Sequence, residues 1–154
     1  MTLRVHVENA GERVSVSRSV IERVALTTLR AERVRDAMLS VTLVTARAIA
    51  RLNRRHLGQR GPTDVIAFGF VSPDGVAPRP NAIVIGDVYI SPSAARANAR
   101  LYHARVRDEL LRLVVHGTLH VLGYDHPAGE GRMRSRMWRR QELLLARALR
   151  APGI

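Results

Sequence analysis

The chain has 154 residues, 46% of them apolar, enough for one globular domain over residues 1–154 with a sizeable core. It has no cysteine, which excludes disulfides, thiolate zinc sites and thiol nucleophiles, so any metal must be held by His, Asp or Glu. The 25 basic residues, all arginine, outweigh 13 acidic ones for a formal charge of +12, which favours a polyanionic partner. Codon bias explains arginine in place of lysine, but it does not create a net excess of charge.

In chain order, Leu3, Val5 and Val7 alternate with polar residues as in a first strand, not a signal peptide, and turn residues 9–12 follow. From 17 to 35 the apolar positions Val20, Ile21, Val24, Ala25, Thr28 and Leu29 recur at helical spacing behind Ser17 as N-cap. Leu39, Val41 and Leu43 mark a second strand, and Thr45 caps a short helix that runs out near Gly58. Residues 63–70 are a near-continuous apolar run, the pattern of a strand buried on both faces. Three prolines and a glycine make 72–80 a surface loop, and 83–90 is a fourth strand ending at Ser91-Pro92, a cap and first helical residue. Three helices follow, over about 92–102, 105–122 and 129–150. The expected architecture is an α+β domain of α/β type: a small four-stranded mixed sheet packed with about five helices. No stretch approaches the roughly 18 apolar residues of a membrane span, so a soluble, cytoplasmic protein is expected.

The chemistry sits between His116 and His126. His116 and His120 are one helical turn apart and project from the same face, while Leu110, Leu113, Val114 and Val121 form an apolar stripe. Gly123 stands where the helix should end, and a left-handed residue there turns the chain back so that His126 can join the other two. Three imidazoles with an open fourth position are the ligand set of a catalytic zinc on a helix of the C-terminal half. One zinc ion is therefore the expected cofactor, with no nucleotide cofactor. His6, His56 and His103 are isolated and read as ordinary surface residues. Zinc peptidases share this spacing but carry a glutamate directly after the first histidine as general base. That position is Gly117 here, which disfavours peptide hydrolysis by the usual route.

At this point the sequence resembles the YbeY family of bacterial rRNA maturation factors. The family signature H-G-x-L-H-L-x-G-Y-D-H is matched from His116 to His126, with Val121 the single difference. A block P-T-D-V-L-S-F is matched by Pro62 to Phe68, and L-G-D-I-x-I-S by Ile85 to Ser91. Leu52-Asn53 and Met133 match further family positions, and the likeness runs over about 37–150. The resemblance implies a metal-dependent, single-strand-specific endoribonuclease with zinc on His116, His120 and His126. It also implies a role in 3′-end processing of small-subunit rRNA and in ribosome quality control, with single-stranded RNA and ribosomal particles as partners. One departure matters: the family's Y-R-G reads His56-Leu57-Gly58 here, so its arginine, thought to contact RNA or the reacting phosphate, has no counterpart at position 57. Arg60, or Arg55 on the preceding helix, is the candidate substitute, with Arg60 preferred; weakened catalysis is the alternative.

Asp125, beside His126, is a candidate general base, and its competing role is a turn or a hydrogen bond to a ligand. Asp64 and Asp87 stand among apolar strand residues, and a buried carboxylate needs a partner. Asp87 is in register with Ile83 and Ile85 and faces inward if they do; a structural network is the expected role for both carboxylates, ahead of lining an RNA cleft. Glu109, seven residues before His116, is either a partner of the site or an exposed helix residue. The last helix carries Met133, Met137, Leu144 and Ala148 on its buried face and seven arginines elsewhere. With six aromatic residues, and Phe68 and Phe70 expected to be buried, phosphate contacts and not base stacking should dominate RNA binding. Two other functions stay open: a ribosome-assembly factor with structural zinc, and a zinc hydrolase of another substrate.

Overall fold

The computed structural model describes residues 2–70 and 83–154. The elements are β1 (Leu3–Asn9), α1 (Arg18–Ala31), β2 (Ala37–Leu43), α2 (Ala46–Leu57), β3 (Val65–Gly69), β4 (Val84–Ile90), α3 (Pro92–Leu101), α4 (Val106–Val121) and α5 (Arg136–Arg150), with a 3-10 helix at Gly129–Arg134. The sheet order is β1-β2-β4-β3; β1, β2 and β4 are parallel, and β3 runs antiparallel to β4. This is the mixed four-stranded sheet with about five helices that the sequence predicts. The expected loop at 72–80 lies outside the described residues.

Side-chain alternation sets the two faces of the sheet. Ala37, Leu39, Val41 and Leu43 of β2 join Val84, Val88 and Ile90 of β4 on the inner face, which receives α1 and α4. On the outer face Val44, Ile49 and Ile66 form a smaller cluster under α2. Helix α4 is apolar almost all round, as a central helix must be: Leu111, Val114, Val115 and Leu119 are fully buried between the sheet, α1, α3 and α5.

Three glycines let α4 lie this close. A Cβ on Gly117 would stand 2.5 Å from Val88 Cγ1, one on Gly86 2.3 Å from Val121 Cγ1, and one on Gly69 2.7 Å from the Val121 carbonyl oxygen. These approaches fix the depth and rotation of the helix that carries two histidines.

The structure corrects four expectations. Ile83 and Ile85 are exposed, so Asp87 lies on the outer face with them, half-buried, and accepts a hydrogen bond from the Ser40 hydroxyl (2.6 Å) directly across the β2–β4 pair. Phe70 is 65% exposed, because β3 is an edge strand and ends one residue earlier. The predicted helix over 129–150 is two pieces: Ser135 adopts extended backbone (φ −71°, ψ 156°) and its hydroxyl accepts from the Trp138 N–H, restarting the chain as α5. Met133 consequently falls on the 3-10 helix and is 48% exposed, outside the core face that Met137, Leu144 and Ala148 do form. Among the described residues no helix is long and apolar enough to cross a membrane.

Candidate metal centre

His116 and His120 leave α4 on one face, one turn apart, and the helix end then delivers the third ring. The Gly123 N–H donates to the His120 carbonyl (3.0 Å) and the Tyr124 N–H to the Leu119 carbonyl (3.1 Å), with Gly123 at φ +96°. This pair of bonds around a left-handed glycine is a Schellman turn, which satisfies the last carbonyls and reverses the chain. The Tyr124 hydroxyl donates to Glu32 at the end of α1 (2.7 Å), and Glu32 is also held by the Arg140 guanidinium of α5. The turn is therefore pinned to two other helices. His126 arrives beside its partners, with ring centroids 4.6 Å (His116–His120), 5.0 Å (His116–His126) and 5.1 Å (His120–His126) apart. One ring nitrogen from each lies within 4.8 Å of the other two.

The outer nitrogens decide what the inner ones can do. His116 Nδ1 lies 2.6 Å from Gln141 Oε1, His120 Nδ1 2.9 Å from the Tyr124 carbonyl, and His126 Nδ1 3.0 Å from the Pro127 carbonyl. All three partners are carbonyl oxygens, which only accept, so each Nδ1 carries the proton and donates it. In a neutral ring so held, Nε2 keeps a free lone pair. This is the arrangement in which a histidine ligand is oriented by a carbonyl on its far nitrogen. Burial lowers the proton affinity of His116 to a pKa of about 4, partly offset by the bond to Gln141 and reinforced by the charges of His120, Arg132 and His126. Burial likewise lowers His120, against the raising effect of the Tyr124 carbonyl. Both rings are neutral at pH 7, as ligands must be. Nitrogen donors on three fixed rings fit a zinc ion.

Gly117 faces the sheet, against Val88 and Val65, away from the side chains at this centre. A glutamate there would have no room, so the missing peptidase base reflects packing as well as chemistry.

A cleft of about 510 Å³ opens beside His116, lined by residues of α3, α4, the 3-10 helix and α5. A polar chain runs along it. Gln141 holds His116 and donates to Glu142; Arg112 bridges Glu142 and Glu109; Asn98 donates to Asp64. Glu109 is thus resolved as a buried residue, 5% exposed and ion-paired to Arg112. Asp64 reaches the cleft wall, but it also accepts from its neighbour's backbone (Val65 N–H, 2.8 Å). Asp125 is exposed; one of its carboxylate oxygens accepts from the His126 N–H (2.8 Å), shaping the turn. Arg60 is exposed in the segment after α2, and among the described residues its side chain makes no hydrogen bond or ion pair. His6 pairs with Glu8, and His56 packs edge-on to Phe68; neither approaches the centre.

Gln141 was not singled out from the sequence, although a signal was present. It falls on the helical stripe Met137, Gln141, Leu144, Leu145, Ala148, and a glutamine inside an apolar stripe implies a buried partner.

Comparison with known proteins agrees with this geometry. The profile of the family described as "Endoribonuclease YbeY" matches residues 6–148. An "Endoribonuclease YbeY" from Syntrophotalea carbinolica is 35% identical over 143 residues, covering 93% of this chain and 94% of the relative. One from Pelotomaculum thermopropionicum is 35% identical over 147 residues, covering 93% and 95%. A solution structure of a Thermotoga maritima protein superposes with a TM-score of 0.61 at 26% identity, over 94% of this chain and 89% of the other.

Proposed function

The chain belongs to the YbeY endoribonuclease family, and from that premise we propose that it is a zinc-dependent endoribonuclease of single-stranded RNA. Its proposed place is the cytoplasmic maturation of the 3′ end of small-subunit rRNA and the quality control of ribosomes. The observation that carries the reading is the convergence of one ring nitrogen from each of three histidines within 4.8 Å, with every Nδ1 held against a carbonyl oxygen.

His116, His120 and His126 would hold a zinc ion, which would supply Lewis-acid chemistry for a phosphate oxygen and for water. The protein holds the three rings in one tautomer through Gln141, Tyr124 and Pro127, and it keeps His116 and His120 unprotonated by burial. Asp125 keeps one oxygen for the His126 N–H and is proposed to take up a proton on the other. Arg60 is proposed to contact the RNA backbone. The peptidase alternative loses support because Gly117 is packed against Val88.

Leu57, 51% exposed at the end of α2, favours a second reading, a ribosome-assembly factor that holds zinc but cleaves little. Incubating zinc-loaded wild type and His120→Ala with single-stranded RNA, double-stranded RNA and casein separates these readings. The nuclease reading expects cleavage of single-stranded RNA alone, lost in the variant. Zinc binding without cleavage supports the assembly factor, and equal cleavage by both proteins would exclude the metal-dependent nuclease.

A further inference from the structure

The cleft beside His116 is lined by two arginines in different circumstances. Arg112 is committed: its guanidinium donates to Glu109 and to both carboxylate oxygens of Glu142. Arg132 is not. It comes from the 3-10 helix that joins the third histidine to α5, and its guanidinium lies 5.8 Å over the Trp138 ring. Its Nε is shielded from solvent and has no hydrogen-bond partner, and among the described residues no carboxylate pairs with it. Glu130, exposed on the same short helix and also on the cleft wall, forms no ion pair with it. His116 stands on the wall of the same cleft.

A guanidinium held near an aromatic face keeps two terminal nitrogens along one planar edge. That edge suits the paired oxygens of a phosphate. We infer that Arg132 is a phosphate ligand of this site, donating from its terminal nitrogens to the non-bridging oxygens of an RNA phosphate in the cleft beside His116. The inference rests on the reading of the centre as one that acts on phosphodiesters, and it assigns a cation to the cleft that the sequence motif leaves without one.

The test compares wild type with Arg132→Ala, Arg132→Lys and, as a surface control, Arg147→Ala on the exposed side of α5. Metal-free proteins are titrated with a single-stranded oligoribonucleotide by fluorescence anisotropy at several salt concentrations. Loss of one phosphate contact lowers the slope of log K against log salt by about 0.7. Arg132→Ala should show that drop, Arg132→Lys should restore the slope because the charge returns, and Arg147→Ala should match wild type. With zinc bound, Arg132→Ala should keep its metal content and melting temperature while kcat falls by about 10²–10³-fold. The lysine variant should recover KM more than kcat, because an ammonium cannot donate along a planar edge. An unchanged salt slope and kcat in Arg132→Ala would overturn the inference, as would a loss of activity matched by loss of zinc. If wild type cleaves no RNA, the nuclease reading fails, and the metal-free slopes still decide whether Arg132 meets a phosphate.

Discussion

Replacing Gln141 with leucine isolates the contribution of the hydrogen bonds behind the histidines. The side chain is 1% exposed, and its Oε1 lies 2.6 Å from His116 Nδ1, so no solvent molecule replaces the lost acceptor without repacking. A buried donor left without a partner costs about 1–3 kcal/mol, which should appear as lower stability of the metal-free protein. The imidazole is then free to carry its proton on Nε2, where it blocks a lone pair needed by the metal. Removing such a partner typically weakens zinc binding about 10–100-fold, or about 1.4–2.8 kcal/mol. Competition against a chromophoric chelator measures the affinity, and thermal unfolding without metal measures the stability term. Gln141→Glu retains an acceptor and should bind zinc more tightly than the leucine variant. Wild-type zinc affinity in Gln141→Leu would refute the claim that this bond sets the tautomer of His116.

Other consequences follow from the same contacts. Burial lowers His116 from its ordinary 6.5 to about 4, so as pH falls through that window the unfolded chain takes up a proton before the folded one does. Stability of the metal-free protein should therefore fall between pH 6.5 and 4, by about 3 kcal/mol from this ring alone; urea midpoints should show the decline, and His116→Gln should flatten it. Gly117→Ala places a methyl 2.5 Å from Val88 Cγ1, and it should cost about 1–3 kcal/mol of stability by calorimetry. Tyr124→Phe removes the hydroxyl bond to Glu32 while Arg140 stays, so it should lose about 1–3 kcal/mol, seen as a lower melting temperature with zinc stoichiometry unchanged.

The three-histidine cluster was legible because its parts are local. A one-turn histidine pair and a glycine at the helix end specify a face and a reversal, and the Schellman bonds at Gly123 and Tyr124 realise both. The sheet was legible for a related reason, since period-two alternation in β2 fixes which side is buried. What escaped the sequence depends on contacts between distant segments. Ser135 reads equally well as a helix-interior residue or a cap, and its extended backbone is set by the turn that must first accommodate His126. The partner of Gln141 lies 25 residues away on another helix, so its stripe position shows burial without showing the acceptor's target. Arg132 is one of seven arginines in the last helical stretch of the sequence, and only the 3-10 helix singles it out by bringing it near Trp138. Asp87 does share the face of Ile83 and Ile85, but alternation alone does not say that this is the outer face of the sheet.

X-ray absorption at the zinc edge of the loaded protein tests the centre most directly. Three imidazole nitrogens at about 2.0–2.1 Å and one exchangeable oxygen are expected, with one equivalent of zinc lost in His120→Ala. A coordination shell closed by a fourth protein group, or full zinc occupancy in that variant, would contradict it.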